Sequence, residues 1–428
     1  MTESVIILFL VYLLTILLAA TEVVPLSMSA LIGALLTAWF GIQYDVFSYE
    51  EALHFIDMRL IGLIIGTMVV VEVARKSDVF HFIALYTVKL AGGNPGRLFV
   101  ALCVTSAMAS LFLSDSTAML LMAAAIITIS KILEYDPLPF FLSSVIMINL
   151  GGTSTLIGSV SNMIIGIEAG MSFTEFISYL APCEISLWIL MIIVLYKIFK
   201  PRLGSKKDLK QLPEYDPWRA VKNRRIFIRA SLILCLMIAL FLVLDQLNIG
   251  PEGAALGCAI MALLLTGLDP AEIFRELDWE TIFFVAGFLF IINGLERTRF
   301  LSEISRAMMA LAGNNCLFTT LLTLWFSGLV STIVSNIAVA LTFTPIIKGI
   351  GVSGTDINAI WSALVLGTNL GGATVPFSST ACVMAIGALK REGISLSFSE
   401  FTKLGVITTF IQLLFASLYL IVRFNLIW

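Results

Sequence analysis

The chain has 428 residues, 59% of them hydrophobic and 13% charged, against roughly 45–50% apolar and about 25% charged in an ordinary soluble domain. Apolar runs of near-spanning length recur from end to end, so the fold's solvent is lipid, and a soluble globular protein is excluded. A formal net charge of −3 gives no basic field and excludes nucleic acid as a partner.

Taken in chain order, residues 5–20 form the first apolar run, without a basic leader or small-residue cleavage site, and read as a retained membrane helix. Residues 61–73 with their flanks make a further crossing, while His54 and His81 lie in flanking segments that look amphipathic. Two shorter runs follow, 98–113 and 117–133, which as helices span only about 24–26 Å against a hydrocarbon core of ~30 Å. Between them stand only the polar residues Ser114, Asp115 and Ser116. This predicts a re-entrant hairpin whose tip is buried in protein or lines a wet cavity. Residues 139–170 carry Asn149, Gly151, Gly152, Thr153, Ser154 and Thr155 at their centre, where glycine frees the backbone from helical geometry, so a discontinuous membrane helix is expected. Residues 177–199 make the last crossing of this half. The interval 197–229 then holds 11 of the 26 Lys and Arg residues, a basic loop that the positive-inside bias places in the cytoplasm.

Beyond that loop the first half recurs at an offset of about 221 residues. Phe55-Ile56-Asp57-Met58-Arg59 through Gly66 aligns with Glu276-Leu277-Asp278-Trp279-Glu280 through Gly287, and Ser114-Asp115 with Ser335-Asn336. After one residue of slippage, Asn149-Leu150-Gly151-Gly152 falls on Asn369-Leu370-Gly371-Gly372; further on, Ser172-Phe173-Thr174-Glu175-Phe176 falls on Ser397-Phe398-Ser399-Glu400-Phe401. A second hairpin is expected around Ser335-Asn336, and a second broken helix over 361–389 at Gly371-Gly372-Ala373-Thr374. The expected fold is an all-α polytopic membrane protein of two inverted repeats, 1–200 and 226–428, joined by a basic cytoplasmic linker, 201–225. About ten transmembrane helices, two hairpins and two broken helices complete it, with both termini outside.

Paired broken segments in an inverted repeat point to the binding site of a secondary transporter. A helix that begins in mid-membrane offers unsatisfied N–H groups to an anion or oxygen-rich solute, and one that ends there offers carbonyls to sodium or a proton carrier. The candidate solute or coupling-ion residues are Ser114, Asp115, Ser116 and Thr117 at the first tip, with Ser335 and Asn336 at the second. At the first break they are Asn149, Gly151, Gly152, Thr153, Ser154, Thr155, Ser161 and Asn162, and at the second Asn369, Gly371, Gly372 and Thr374. Asp115 is the one carboxylate at a tip, a candidate proton carrier or cation ligand. Its structural alternative is an N-cap of the second arm, bonded to the backbone near Met119. Glu22, Glu72, Glu184 and Asp245 read as loop or headgroup acids, Glu72 in an ion pair with the following Arg75-Lys76. Six singly placed cysteines without C-x-x-C, two histidines and no H-E-x-x-H give neither a metal site nor an enzyme's nucleophile and base. No cofactor is called for beyond a coupling proton or sodium ion.

Phe112-Leu113-Ser114-Asp115-Ser116-Thr117, Asn149-Leu150-Gly151-Gly152-Thr153-Ser154-Thr155-Leu156-Ile157-Gly158-Ser159-Val160-Ser161-Asn162 and Met171-Ser172-Phe173 on to Ala181-Pro182 resemble the arsenite efflux pump and P-protein family. That family belongs to the ion transporter superfamily, with the sodium/proton antiporters and divalent anion:sodium symporters. The resemblance covers nearly the whole chain and implies a secondary active transporter of a small anion or oxyanion-like, arsenite-type solute, coupled to a proton or sodium gradient. It also implies a multi-pass protein of the cell membrane, a homodimer, and an elevator-like motion of the hairpin-containing core against the first helices of each half. Arsenite pumps carry Asp-Asn at each tip and Gly-Asp-Pro-Pro-Asn after the first break, where this chain has Ser114-Asp115, Ser335-Asn336 and Gly158-Ser159-Val160-Ser161-Asn162. Those serine tips are similar to the Ser-Asn-Thr tips of dicarboxylate symporters, where the resemblance implies contacts to sodium and a substrate carboxylate. A sodium-coupled di- or tricarboxylate symporter and a sodium/proton antiporter are therefore the alternatives, with a passive channel as the reading from another class.

Overall fold

Matching caps start matching helices in the two halves. The computed structural model describes residues 3–21, 24–91, 94–204, 218, 221–244, 250–312, 315–350, 355–376, 379–392, 394 and 396–424, and among them every regular element is a helix. The first half runs α1 (Glu3–Thr21), α2 (Leu26–Gln43), α3 (Tyr49–Ala52), α4 (Met58–Lys76), α5 (Val79–Ala91), α6 (Pro95–Ser110), α7 (Asp115–Leu133), α8 (Leu138–Gly151), α9 (Val160–Glu168) and α10 (Phe173–Phe199). The same order returns as α11 (Arg224–Leu244), α12 (Pro251–Thr266), α13 (Pro270–Glu276), α14 (Trp279–Arg297), α15 (Phe300–Ala312), α16 (Cys316–Ser331), α17 (Asn336–Lys348), α18 (Thr355–Leu370), α19 (Thr380–Arg391) and α20 (Phe398–Arg423). Most of the linker, Glu22 and Asp245 lie outside the described residues.

Asp57 caps α4 by accepting the Arg59 amide, and Asp278 caps α14 by accepting that of Thr281. Asn94 takes the amides of Gly96 and Arg97 at the start of α6, and Asn315 that of Phe318 at the start of α16. Each cap satisfies donors that the helix itself leaves orphaned. The recurring Asp and Asn positions are therefore starts of equivalent helices. Among the described residues five helices are long and apolar enough to cross a bilayer: α2, α10 with its extension to Arg202, α11, α14 and α20. The hairpin arms α6 and α16 have 16 residues each, short of a full span. Between α4 and α6, where the sequence pattern around His81 gives only an amphipathic flank, the chain forms α5, and between α14 and α16 it forms α15, of 13 residues each.

Within each half α6 packs on α8 and α16 on α18, while across the halves α2 lies on α14 and α4 on α12, α7 on α19 and α9 on α17. Glycine permits the crossings of α2 on α14 and of α4 on α12. A Cβ on Gly66 would stand 2.6 Å from the backbone of Ala255, and one on Gly287 2.9 Å from that of Ala30, the close approach that small residues allow between membrane helices. Equivalent helices also run antiparallel. Arg75 at the end of α4 reaches Glu276 just before α14 at 3.2 Å, and Asn293 near the end of α14 donates to the Phe55 carbonyl just before α4 at 2.9 Å. Arg202, beyond α10, meets Glu400 at the start of α20 (2.9 Å), while Tyr419 near the end of α20 donates to the Tyr179 carbonyl near the start of α10 (2.6 Å).

Candidate functional site

Both hairpin tips are built alike. α6 ends at Ser110, the chain unwinds through Leu111–Ser114, and Ser114, with ψ 150°, takes the N-cap position so that Asp115 is the first residue of α7. Asp115 is thus not the cap the sequence allowed for. Its carboxylate accepts from the Ser110 hydroxyl at 3.5 Å, at the edge of hydrogen-bond range, while Ser114 Oγ donates to Thr117 Oγ1 at 3.0 Å. In the second tip Ser331 Oγ donates to Asn336 Oδ1 at 2.7 Å, and Ser335 accepts the Ala338 amide. The first turn of a helix is where its dipole favours a negative charge, so α7 tolerates a carboxylate where α17 carries the neutral amide.

At the breaks, 3-10 turns Gly152–Ser154 and Gly371–Ala373 follow α8 and α18. Asn162 Nδ2 donates to the carbonyls of Gly152 and Thr155, both at 2.8 Å, satisfying backbone that the break exposes. Its counterpart Cys382 faces the Gly372 carbonyl with its sulfur at 3.9 Å. Each break's asparagine crosses to the other half: Asn149 Nδ2 donates to Ser379 Oγ at 3.1 Å, and Asn369 Nδ2 to Asn162 Oδ1 at 2.8 Å. A Cβ on Gly372 would stand 2.9 Å from Asn149 Oδ1 and 3.0 Å from the Asn336 amide. That Asn149 oxygen is buried without a hydrogen-bond partner.

A cavity of about 220 Å³ lies against these parts. Its wall holds Ser114, Asp115, Ser116 and Thr117, then Ser335, Asn336 and Ile337, then Gly158, Ser159 and Val160, and finally Ser379. Four helices, α7, α9, α17 and α19, therefore begin at this wall with their N-termini. Glu72, Glu276 and Asp278 also line it, and no Lys, Arg or His does among the described residues. Glu72 is held by Arg75 at 2.6 Å, and Arg75 reaches on to half-exposed Glu276. Asp78, just past α4, accepts the amide of Lys222 at the linker's end (3.1 Å), so the cavity meets the surface on the linker side.

A family model described as citrate transporter matches residues 16–367. The chain belongs to the citrate transporter family. An uncharacterized transporter of Mycobacterium bovis is 30% identical to it over 415 residues, 95% of this chain and 96% of that one. The arsenical pump membrane protein of Escherichia coli is 23% identical over 361 residues, 83% of each. Among solved structures, the Alcanivorax borkumensis YdaH transporter superposes with a TM-score of 0.63 at 14% identity, over 86% of this chain and 85% of that one, a likeness of fold. This member of the citrate transporter family is a multi-pass membrane transporter and not an enzyme, and its kinship with arsenite pumps, read from the tips and breaks, holds.

Of the candidate residues in this citrate transporter family member, Ser114, Asp115, Ser116, Thr117, Ser335 and Asn336 line the cavity. Asn149 stands one hydrogen bond behind it through Ser379, and Ser161 one behind it through Ser159 (2.8 Å). Asn162 and Asn369 join the two breaks, and Thr155 ties the first break to the Leu111 carbonyl of the hairpin (3.2 Å). Gly151 and Gly371 serve packing: a Cβ on either would stand 2.3 Å from a backbone oxygen, of Ala107 and Gly328. Gly152 touches Gly158 and Ser110, Thr153 and Ser154 are buried away from the cavity, and Thr374 turns to Thr409 of α20 at 2.9 Å. Ser159 and Ser379 were missed as wall residues, although a serine just ahead of an apolar helical run is an N-cap signal. Glu72 forms the expected ion pair and also lines the cavity. Glu184 contradicts its headgroup reading. It is fully buried, the twelfth of the 27 residues of α10, with Oε1 accepting from the Trp188 indole at 2.9 Å.

Proposed function

We propose that this transporter is secondary active and carries a small oxygen-rich anion, a carboxylate or an oxyanion, coupled to a proton or sodium ion taken up at Asp115. The observation that carries this reading is the convergence of four helix N-termini on a cavity that, among the described residues, no basic side chain lines. Backbone N–H groups at a helix start, with a partial charge of roughly +0.5, suit an anion, and the hydroxyls of Ser114, Ser116, Thr117, Ser159, Ser335 and Ser379 can donate to its oxygens. Asp115 opposes the same anion. Two like charges in so small a space repel by several kcal/mol at low dielectric, so the solute enters well only after a cation has neutralised Asp115. That order makes the two species travel together.

With the linker in the cytoplasm, as its basic charge directs, the cavity faces inward. Equivalent helices that run antiparallel let the two halves exchange roles at the two membrane faces, the basis of alternating access. The test is uptake of citrate, succinate and arsenite by liposomes holding the purified protein, with and without imposed proton and sodium gradients. Accumulation of at least one of them under one gradient is expected, and Asp115→Asn is expected to abolish it while the protein still folds and inserts, since Asn336 occupies the equivalent place. Flux indifferent to both gradients, or accumulation by Asp115→Asn equal to wild type, would sink the reading.

A further inference from the structure

Glu184 lies outside the cavity wall, yet it is a carboxyl group at the middle of a membrane-spanning helix, fully buried. Oε1 accepts from Trp188 Nε1, Oε2 is buried with no hydrogen-bond partner, and the hydroxyl and backbone amide of Ser154 at the first break face the group. Around it, Cys183 and Trp188 belong to α10 itself, and Tyr419 of α20, hydrogen-bonded with Arg423, faces Cys183. α8 carries no titratable side chain, and neither does α18 from residue 357 onward. Arg97 on α6 and Arg224, Arg225 and Arg229 on α11 are exposed at helix ends. On α20, Glu400 is paired with Arg202, Lys403 is exposed, and Arg423 stacks over Tyr179. Among the described residues, then, no cation faces this carboxyl group. An ionised carboxylate left so costs several kcal/mol, whereas a neutral acid needs only its hydrogen bonds.

The second half supplies the internal comparison. The position equivalent to Glu184 is Thr409, whose hydroxyl pairs at 2.9 Å with that of Thr374, the counterpart of Ser154. A pair of hydroxyls therefore suffices to join the last helix to the break, and packing does not explain a carboxyl group in one half only. The geometry points to Glu184 as a second proton-binding group, loaded and unloaded as the first break, of which Ser154 is part, moves with the solute site. The link to transport rests on the function proposed above; the binding of a proton does not.

The purified full chain, without any solute, is titrated while its infrared spectrum is recorded. A protonated-carboxyl stretch that is lost in Glu184→Gln, and that fades in wild type as pH rises within the folded range, is the expected result. A spectrum unchanged by Glu184→Gln, or a Glu184 band indifferent to pH, overturns the proposal. In liposomes, with citrate as the probe, Glu184→Gln is expected to lower proton-driven accumulation about tenfold or more and to flatten its pH profile, with Glu184→Asp recovering part of both. Glu184→Thr reproduces the second half's own arrangement and guards against a fold defect. Accumulation and pH profile unchanged in both Glu184→Gln and Glu184→Thr would overturn the link to transport. A wild type that accumulates none of citrate, succinate and arsenite under any gradient counts against the solute reading alone, since the titration still decides proton binding.

Discussion

Gly371 and Gly372 are neighbours, yet a methyl group on each meets different opposition. On Gly371 it would stand 2.3 Å from the Gly328 carbonyl, as on Gly151 it would from that of Ala107, and backbone there cannot give way without separating α16 from α18 or α6 from α8. Gly371→Ala and Gly151→Ala are each expected to cost about 1–3 kcal/mol as overpacking, read as a lowered midpoint of thermal unfolding in detergent. On Gly372 the atoms nearest the methyl are the side-chain ends of Asn149 and Asn336, at 2.9–3.0 Å, rather than backbone. Gly372→Ala should leave the midpoint within error of wild type and weaken solute binding about tenfold by moving amides next to the cavity, a loss of ~1.4 kcal/mol. Gly387→Ala is the control, since nothing lies within 4 Å of a Cβ there; Gly33 would serve badly, its Cβ falling 2.1 Å from Thr15 Oγ1. At this scale the tips were legible because three polar residues interrupt an apolar run, a signal no packing role erases. The depth of Glu184 was not. The Ser172–Glu175 capping box starts α10 at Phe173 and lengthens it to 27 residues, moving to mid-span an acid that reads as marginal when the apolar run is taken from 177.

The crossings of α4 on α12 and of α2 on α14 are one contact made twice, with Gly66 against Ala255 and Gly287 against Ala30. Gly66→Ala and Gly287→Ala are accordingly expected to destabilise by similar amounts, each about 1–3 kcal/mol, in the same unfolding measurement. A large effect at one and none at the other would show that the crossings are not equivalent in energy. The offset of 221 residues made this element pairing legible, because Asp57 and Asp278 are caps and Gly66 and Gly287 are contact points that both halves need. Helices α5 and α15 left a weaker trace: an amphipathic segment of 13 residues reads equally as a flank or as a helix of its own. The tip boundary shifted for a local reason, Asn94 and Pro95 starting α6 three residues earlier than the apolar run does and Ser114 starting α7 early enough to include Asp115. Hairpin arms and half-helices of opposite halves are then clasped at their far ends, Lys131 to Glu392 and Lys348 to Glu168. Exposed pairs of this kind contribute at most about 1 kcal/mol. Their role is to keep α7 with α19 and α9 with α17, so that the four N-termini at the cavity stay together.

The molecule as a whole is open on one face and shut on the other. At the face opposite the linker, Asn293 bonds to the Phe55 carbonyl, Arg297 pairs with Glu51 at 3.2 Å, and Phe47, Phe55 and Phe290 pack edge to face. The Ser48 backbone N–H, bonded to the Glu51 carboxylate, holds that group below the usual carboxylate range, so it remains charged toward Arg297 into mildly acid solution. At the linker face the counterparts of Asn293 and Phe55 are Glu72 and Glu276, and there the cavity reaches water. A membrane-impermeant maleimide can read this asymmetry in vesicles of known orientation, with Cys235 and Cys316, which are exposed and half-buried, first replaced by serine. Ile337→Cys places a thiol on the cavity wall without touching the polar groups there, and Lys222→Cys marks the linker face. Both are expected to label from the same side, with Ile337→Cys slowed by a bound solute and Lys222→Cys indifferent to it. Labelling of Ile337→Cys only from the side opposite Lys222→Cys would mean that the open face has been assigned wrongly. Alternating access requires one thing more: under a gradient that drives net transport, the same thiol must become reactive from the far side, because one wall of four helix starts must serve both faces in turn.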